Sequence, residues 1–243
     1  MTANTASRTV GELVAEMPAR ARIFEAHRID YCCGGKIPLA DACTAKSVDL
    51  QQVLAQLEAC TPRGDAPDAA DWTQRSLGEL VDDIVTTHHE YLRSDLPRLG
   101  AMVEKVARVH GERHAELAEV LDVFRALQQE LLAHMQKEEM ILFPIVKRIE
   151  ATGQVTANHC GSVANPIRVM EDEHDFAGRA LEALRRLTND YTPPEDGCNT
   201  FRVMLDGLAE LERDLHTHIH KENNILFPRA IALEAELSAG VEA

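Results

Sequence analysis

Two eleven-residue stretches, HMQKEEMILFP at 134–144 and HIHKENNILFP at 218–228, share seven positions: His, Lys, Glu, Ile, Leu, Phe and Pro. In each copy a histidine precedes a glutamate by four residues, His134 to Glu138 and His218 to Glu222. On a helix that spacing stacks imidazole and carboxylate one turn apart on one face. The two groups can bind a metal ion, or they can simply hydrogen-bond to each other. The flanking residues indicate which face they occupy. Leu117, Leu121, Phe124, Leu127 and Leu131 step by threes and fours into His134 and Glu138, and the stripe resumes at Leu142 and Ile145. Phe201, Met204, Leu208, Leu211 and Leu215 lead in the same way to His218 and Glu222, then Leu226. This periodicity predicts both polar pairs on the core face. Burying them costs several kcal/mol unless something satisfies them. A single pair can satisfy itself. Two pairs on facing helices place two carboxylates in one low-dielectric centre, where like charges repel. A bound cation removes that repulsion.

Further donors are found on the other helical patterns. The stripe Ile167, Met170, His174, Ala177, Leu181, Leu184 carries His174 inward. The segment TTHHEYL offers His88 and His89. An offset of 85 residues maps Leu181 onto Leu96, Leu184 onto Leu99 and His174 onto His89, so the internal repeat selects His89 over His88. The candidate metal ligands are therefore His89, His134, Glu138, His174, His218 and Glu222. Six inward donors suit two metal ions, although two separate mononuclear sites fit the same count. Imidazoles with bridging carboxylates favour non-haem iron, with manganese ranked below it. Zinc ranks lower because it usually fills a closed tetrahedral set, often with thiolates. His216 and His220 are expected to face solvent, as are His110 and His114 near a helix junction. One of Asp172, Glu173 and Asp175 could orient an imidazole. Glu139 has Asn223 as its counterpart in the other copy and is not read as a ligand. The repeated ILFP reads as packing residues followed by a helix-bending proline, with Phe143 and Phe227 helping to exclude water.

These residues need long helices to position them. The chain has 243 residues, 45% apolar but only 4% aromatic. Its abundance of Leu, Ala and Glu favours helices over a β-sandwich or barrel. Four helical patterns run roughly 76–109, 112–151, 166–190 and 199–236. The first opens on a capping box of Ser76 and Glu79 and carries Pro97, a predicted kink. The fold class predicted is all-α: an antiparallel four-helix bundle over 76–243, a linker at 63–75, and a small helical domain over 1–62. A formal charge of −15 argues against a nucleic-acid partner. No apolar run approaches a membrane span and no signal-peptide pattern opens the chain, so a soluble, cytoplasmic protein without membrane contact is expected.

The six cysteines form no C-x-x-C pair. Cys32 and Cys33 are adjacent, in DYCCGG. A disulfide between neighbours strains the intervening peptide. Gly34 and Gly35 are expected to permit a tight turn that leaves both thiols accessible. A redox or metal-handling pair and two structural thiols both fit this segment.

The segments DYCCGGK, HMQKEEMILFP, MEDEHDFAG, DYTPPEDGC and HIHKENNILFP, in that order, resemble the RIC (repair of iron centres) di-iron family across nearly the whole chain. The resemblance implies an amino-terminal domain bearing the Cys-Cys pair and a hemerythrin-like bundle. It also implies an oxo-bridged pair of non-haem iron ions, with imidazole ligands at His89, His134, His174 and His218 and bridging carboxylates at Glu138 and Glu222. It further implies a role in nitrosative and oxidative stress. Damaged iron–sulfur proteins are then transient partners, nitric oxide is bound or reduced at the iron pair, and Cys32 and Cys33 take part in the chemistry. The rival readings are a hemerythrin-like oxygen or nitric oxide binding protein without turnover, and a metal-free structural bundle.

Overall fold

The computed structural model describes residues 2–60, 72–155 and 160–241. The chain is all-α, with an antiparallel four-helix bundle and a small helical amino-terminal region. Among the described residues the only β feature is an isolated bridge between Thr9 and Pro38. The small region contains α1 (Thr2–Ser7), α2 (Val10–Glu16), α3 (Ala21–Ala26), α4 (Leu39–Ala45) and α5 (Leu50–Ala59). The long arms are built from α6 (Leu77–Asp83), α7 (Glu90–His110), α8 (Glu116–Lys137), α9 (Phe143–Thr152), α10 (Ala164–Leu187), α11 (Asn199–Lys221) and α12 (Phe227–Val241). Two compact units emerge, one of Met1–Leu80 with His216–Ala243 and one of Val81–Leu215.

In the unit Val81–Leu215, α8 packs against both α7 and α10. Its core interleaves Leu92, Leu96 and Leu99 of α7 with Phe124 and Leu127 of α8 and Leu181 and Leu184 of α10, all buried. Pro97 sits inside α7, which continues to His110. Gly153 ends α9 in the left-handed region at φ 61°, its N–H donating to the Ile149 carbonyl. That conformation suits a residue without Cβ.

The other unit gathers the amino-terminal helices around the end of α11 and the start of α12. A capping box on Thr9 and Glu12 starts α2. The Ser76–Glu79 box is present: each residue's amide donates to the other's side chain, at 3.0 and 3.1 Å. The predicted linker lies mostly outside the described residues. Its last residues include Trp72, over whose ring the buried Lys221 ammonium sits 5.4 Å from the centroid.

The sequence predicts unbroken α-helices through the histidine–glutamate segments, and there the structure differs. Single π-helical turns occupy Ile84–His89, Glu138–Leu142 and Glu222–Leu226. Each closes with an amide reaching back five residues: Glu90 to Val85, Phe143 to Glu138, and Phe227 to Glu222. Such wide turns are rare and concentrate at functional sites. Pro144 and Pro228 come two residues after the ends of two of them and have no N–H to continue the α pattern. The wide turn absorbs that mismatch. It also adds a residue to the repeat, so the buried stripe continues from Leu142 to Val146 and Ile149, whereas Ile145 is only half-buried.

Candidate metal centre

In the unit Val81–Leu215, Glu138 opens its π turn at the centre of the packing and is fully buried. Its Oε2 lies 3.4 Å from His89 Nε2 and 3.3 Å from His134 Nε2. His174 Nε2 lies 3.1 Å from His134 Nε2. Donor atoms of His134, Glu138 and His174 all fall within 4.8 Å of one another. Three helices thus turn ring nitrogens towards one carboxylate.

The other face of each ring explains this orientation. His89 Nδ1 donates to Glu139 Oε1 at 2.6 Å, and His134 Nδ1 donates to Glu173 Oε2 at 2.8 Å. A proton held on Nδ1 leaves the Nε2 lone pair pointing inward, as metal-binding histidines require. Burial raises the Glu139 carboxyl, but hydrogen bonds from His89 and Arg93 outweigh it and hold the group below the usual carboxylate range. Burial opposes His134 and Lys137 in the same way at Glu173, with the same net direction. Both carboxylates are thus anions that favour the Nδ1–H tautomer. The Phe143 ring stacks 5.8 Å from the His89 ring. His88 is also buried, but its Nδ1 bonds to Asp214 Oδ1 at 2.7 Å.

In the other unit, His218 Nε2 lies 3.1 Å from Glu222 Oε1, and both residues are buried. The pair repeats the His134–Glu138 arrangement, including the π turn that the glutamate opens. Nitrogen and carboxylate donors without a thiolate fit a non-haem iron ion better than structural zinc.

The Cys-Cys turn packs against the same Glu222–Leu226 segment. The Cys32 carbonyl accepts from Asn224 Nδ2 at 2.9 Å and from Asn223 Nδ2 at 3.5 Å. Asp30 Oδ1 accepts from the amides of Cys32 and Cys33, each at 3.0 Å, and from the Cys32 thiol at 3.2 Å. Cys32 and Cys33 are thiols with their sulfurs 3.9 Å apart. Cys33 is partly exposed, but Cys32 is buried, against the expectation that both are accessible. Adjacent Cys33, burial and Asp30 push the Cys32 thiol well above the ordinary range, so it stays protonated. Neither Gly34 nor Gly35 has a positive φ. Gly35 serves close approach: a Cβ there would stand 2.0 Å from Asn224 Oδ1, and one at Gly11 2.3 Å.

Several histidines depart from expectation. His220 is buried, not exposed, and burial lowers its pKa to about 4, leaving a neutral ring. Its Nδ1 contacts the Tyr31 carbonyl at 3.3 Å. His216 is half-buried, with its ring edge-on to Tyr31. His110 is buried and His114 half-buried; both were expected at the surface. Tyr31 of the amino-terminal region covers His216 and His220, and Phe201 packs on His110 and His114, which periodicity on one helix cannot reveal. Glu173 is the acidic neighbour that orients an imidazole, but it serves His134, not the adjacent His174. Sequence reading set aside Glu139 and overlooked Asn224; the available signal was that Glu139 directly follows one His-x-x-x-Glu segment and Asn224 lies two residues after the other.

Comparison with known proteins bears on this arrangement. Residues 80–230 match the hemerythrin HHE cation binding domain, and residues 6–61 match ScdA_N, a domain of unknown function. An iron-sulfur cluster repair protein YtfE of Yersinia pseudotuberculosis is 40% identical over 226 residues, covering 93% of this chain and 97% of the relative. The proteins of the same name from an Enterobacter species and from Shigella boydii are 40% and 39% identical with the same coverage. No helix among the described residues is long and apolar enough to cross a membrane.

Proposed function

We propose, on the premise that the chain belongs to the RIC family of hemerythrin-domain proteins, that it is a di-iron protein that repairs damaged iron–sulfur clusters. The observation that carries the reading is the set of imidazoles whose Nε2 atoms face Glu138 while Glu139 and Glu173 hold their Nδ1 atoms outward. The relatives' name, iron-sulfur cluster repair protein, supports the repair role. In this proposal His89, His134 and His174 act with Glu138, and His218 with Glu222 completes the set. The likeness of the two His–Glu pairs supports that completion. Glu138 and Glu222 would supply the carboxylate donors that offset the charge of the bound cations. Bound iron supplies either an ion for a damaged cluster or electrons for reducing nitric oxide to nitrous oxide.

The chain's own residues set the conditions for that chemistry. Glu139 and Glu173 fix the tautomers, and Phe143 covers the His89 ring and restricts water. Cys32 and Cys33 are proposed to meet the client, because two adjacent sulfurs beside Asp30 suit transient ligation of an iron ion. Donor atoms of these three residues lie within 4.8 Å of one another. Ligation requires the Cys32 proton to leave, which the positive charge of an arriving ion favours. The setting is proposed to be the cytoplasm under nitrosative or oxidative stress.

The test is repair of a purified [4Fe–4S] protein whose cluster has been damaged with peroxide. Iron-loaded protein should restore cluster absorbance faster than the same concentration of free ferrous iron. Equal rates would remove iron donation from the proposal. Anaerobic reduced protein mixed with nitric oxide should yield nitrous oxide; none above background removes the reductase part. A smaller effect is expected from Glu139→Ala, which leaves His89 without its outer partner. Iron affinity should fall by roughly 10–100-fold with the fold unchanged. A competitive chelator titration measures it, and an unchanged affinity would exclude Glu139 from the site.

A further inference from the structure

A second reactive group stands apart from the iron ligands in sequence, and the whole of it lies within the unit Val81–Leu215. Cys198 is exposed and immediately precedes α11, a helix of 23 residues whose first backbone bond runs from the Arg202 amide to the Cys198 carbonyl. The Phe201 amide hydrogen-bonds its sulfur and, with the Thr200 amide and side chain and nearby Lys105, lowers its pKa against the opposing desolvation. His110 Nε2 lies 3.2 Å from the sulfur. The His110 ring is 4% exposed, and its only hydrogen bond among the described residues is to Cys198, with Nδ1 having no partner. Phe201 holds the ring in place, with centroids 5.3 Å apart.

The two helix ends act in concert. His110 is the last residue of α7, where the helix dipole favours a cation, and Cys198 is at the start of α11, where it favours an anion. The start of α11 therefore favours a thiolate at Cys198, and His110 Nε2 is within reach of the thiol proton. Charged groups near this end among the described residues include Lys105, Arg113, His114, Glu116 and Asp196. Asp196 bonds to His114 Nε2 and to Arg113, each at 3.0 Å, so its charge is already engaged.

We infer that Cys198 and His110 form a modification site in which Cys198 is a nucleophilic thiol oxidised by hydroperoxides. His110 takes the thiol proton. The sulfur attacks the nearer peroxide oxygen, an S–O bond forms and the O–O bond breaks. Sulfur gives up two electrons and becomes a sulfenic acid. The peroxide is reduced, and the departing oxygen takes a proton from the imidazolium and leaves as an alcohol or as water.

Peptide-resolved alkylation of the full-length protein by iodoacetamide, from about pH 6 to about pH 9, reads the thiolate directly. The Cys198 profile should have its midpoint below the ordinary thiol value of about 8.5. Replacement His110→Gln should slow Cys198 at neutral pH by about three- to tenfold and move the midpoint upward. His110→Asn provides a second variant, and thermal melting confirms that each is folded. Stoichiometric hydrogen peroxide with dimedone should label Cys198 in the wild type, and Cys198→Ser should abolish that adduct. An ordinary midpoint in the wild type, an unmoved profile in both folded His110 variants, or no dimedone adduct at Cys198 would overturn the inference. Iron content does not enter any of these readouts, so they stand independently of the proposed repair function.

Discussion

Glu138→Ala is expected to lower the iron bound per chain from about two ions to one or fewer. The reason is placement: this fully buried carboxylate lies within 3.4 Å of both His89 and His134 nitrogens. Without it, the carboxylate that faces both ring nitrogens is lost, and less negative charge offsets a cation among those imidazoles. The effect on stability should have the opposite sign when metal is absent. A buried carboxylate held for a ligand is costly in the apoprotein, so its removal should be neutral or stabilising by about 1–3 kcal/mol. Wild-type protein should instead gain stability on iron loading, as any ligand that binds only the native state provides. Metal analysis after anaerobic reconstitution, with thermal melting of apo and loaded forms, checks both halves. Retention of two ions with an unchanged optical spectrum in Glu138→Ala and in Glu222→Ala would defeat the proposed ligand set.

Gly35→Ala is expected to disrupt the seating of the Cys-Cys turn. The added methyl would meet Asn224 Oδ1 at 2.0 Å. Asn224 cannot simply rotate away. Its Nδ2 is bonded to the carbonyls of Cys32 and Tyr31, and Gly11 lies on the other side of its oxygen, close enough that a Cβ there would meet it at 2.3 Å. Overpacking of this kind costs about 1–3 kcal/mol. Hydrogen exchange over residues 8–60 should quicken while iron content stays near the wild-type value. If Cys32 and Cys33 meet the client as proposed, cluster repair should fall in step. Asn224→Ala added to Gly35→Ala should recover part of the loss, a coupling expected only for groups in contact. An unchanged melting temperature in Gly35→Ala would show that the turn is not held by this contact.

The sequence carried the inward-facing donors because helical periodicity is a local property. His134, Glu138, His174, His218 and Glu222 each continue an apolar stripe, and all five are buried. His89 needed the internal repeat, since His88 is equally buried and local pattern alone does not separate the two. The π turns were not legible, because their residues are ordinary helix formers and only the hydrogen-bond pattern distinguishes them. Pro144 and Pro228 were the trace they left in the sequence.

What tertiary structure alone decided are the contacts between residues far apart along the chain. Glu173 reaches His134 across a separation of 39 residues, and Glu139 reaches His89 across 50. Cys198 meets His110 across 88 residues, and Asn224 meets Cys32 across 192. Periodicity says which way a side chain faces from its own helix. It does not say which neighbour covers that face, because the choice depends on the packing of several helices at once. Hence His220, which looked exposed on α11, is a neutral buried ring against Tyr31. The type of metal chemistry follows from the residues themselves, whereas the protonation and orientation of the rings that would perform it follow from the neighbours that folding brings to them.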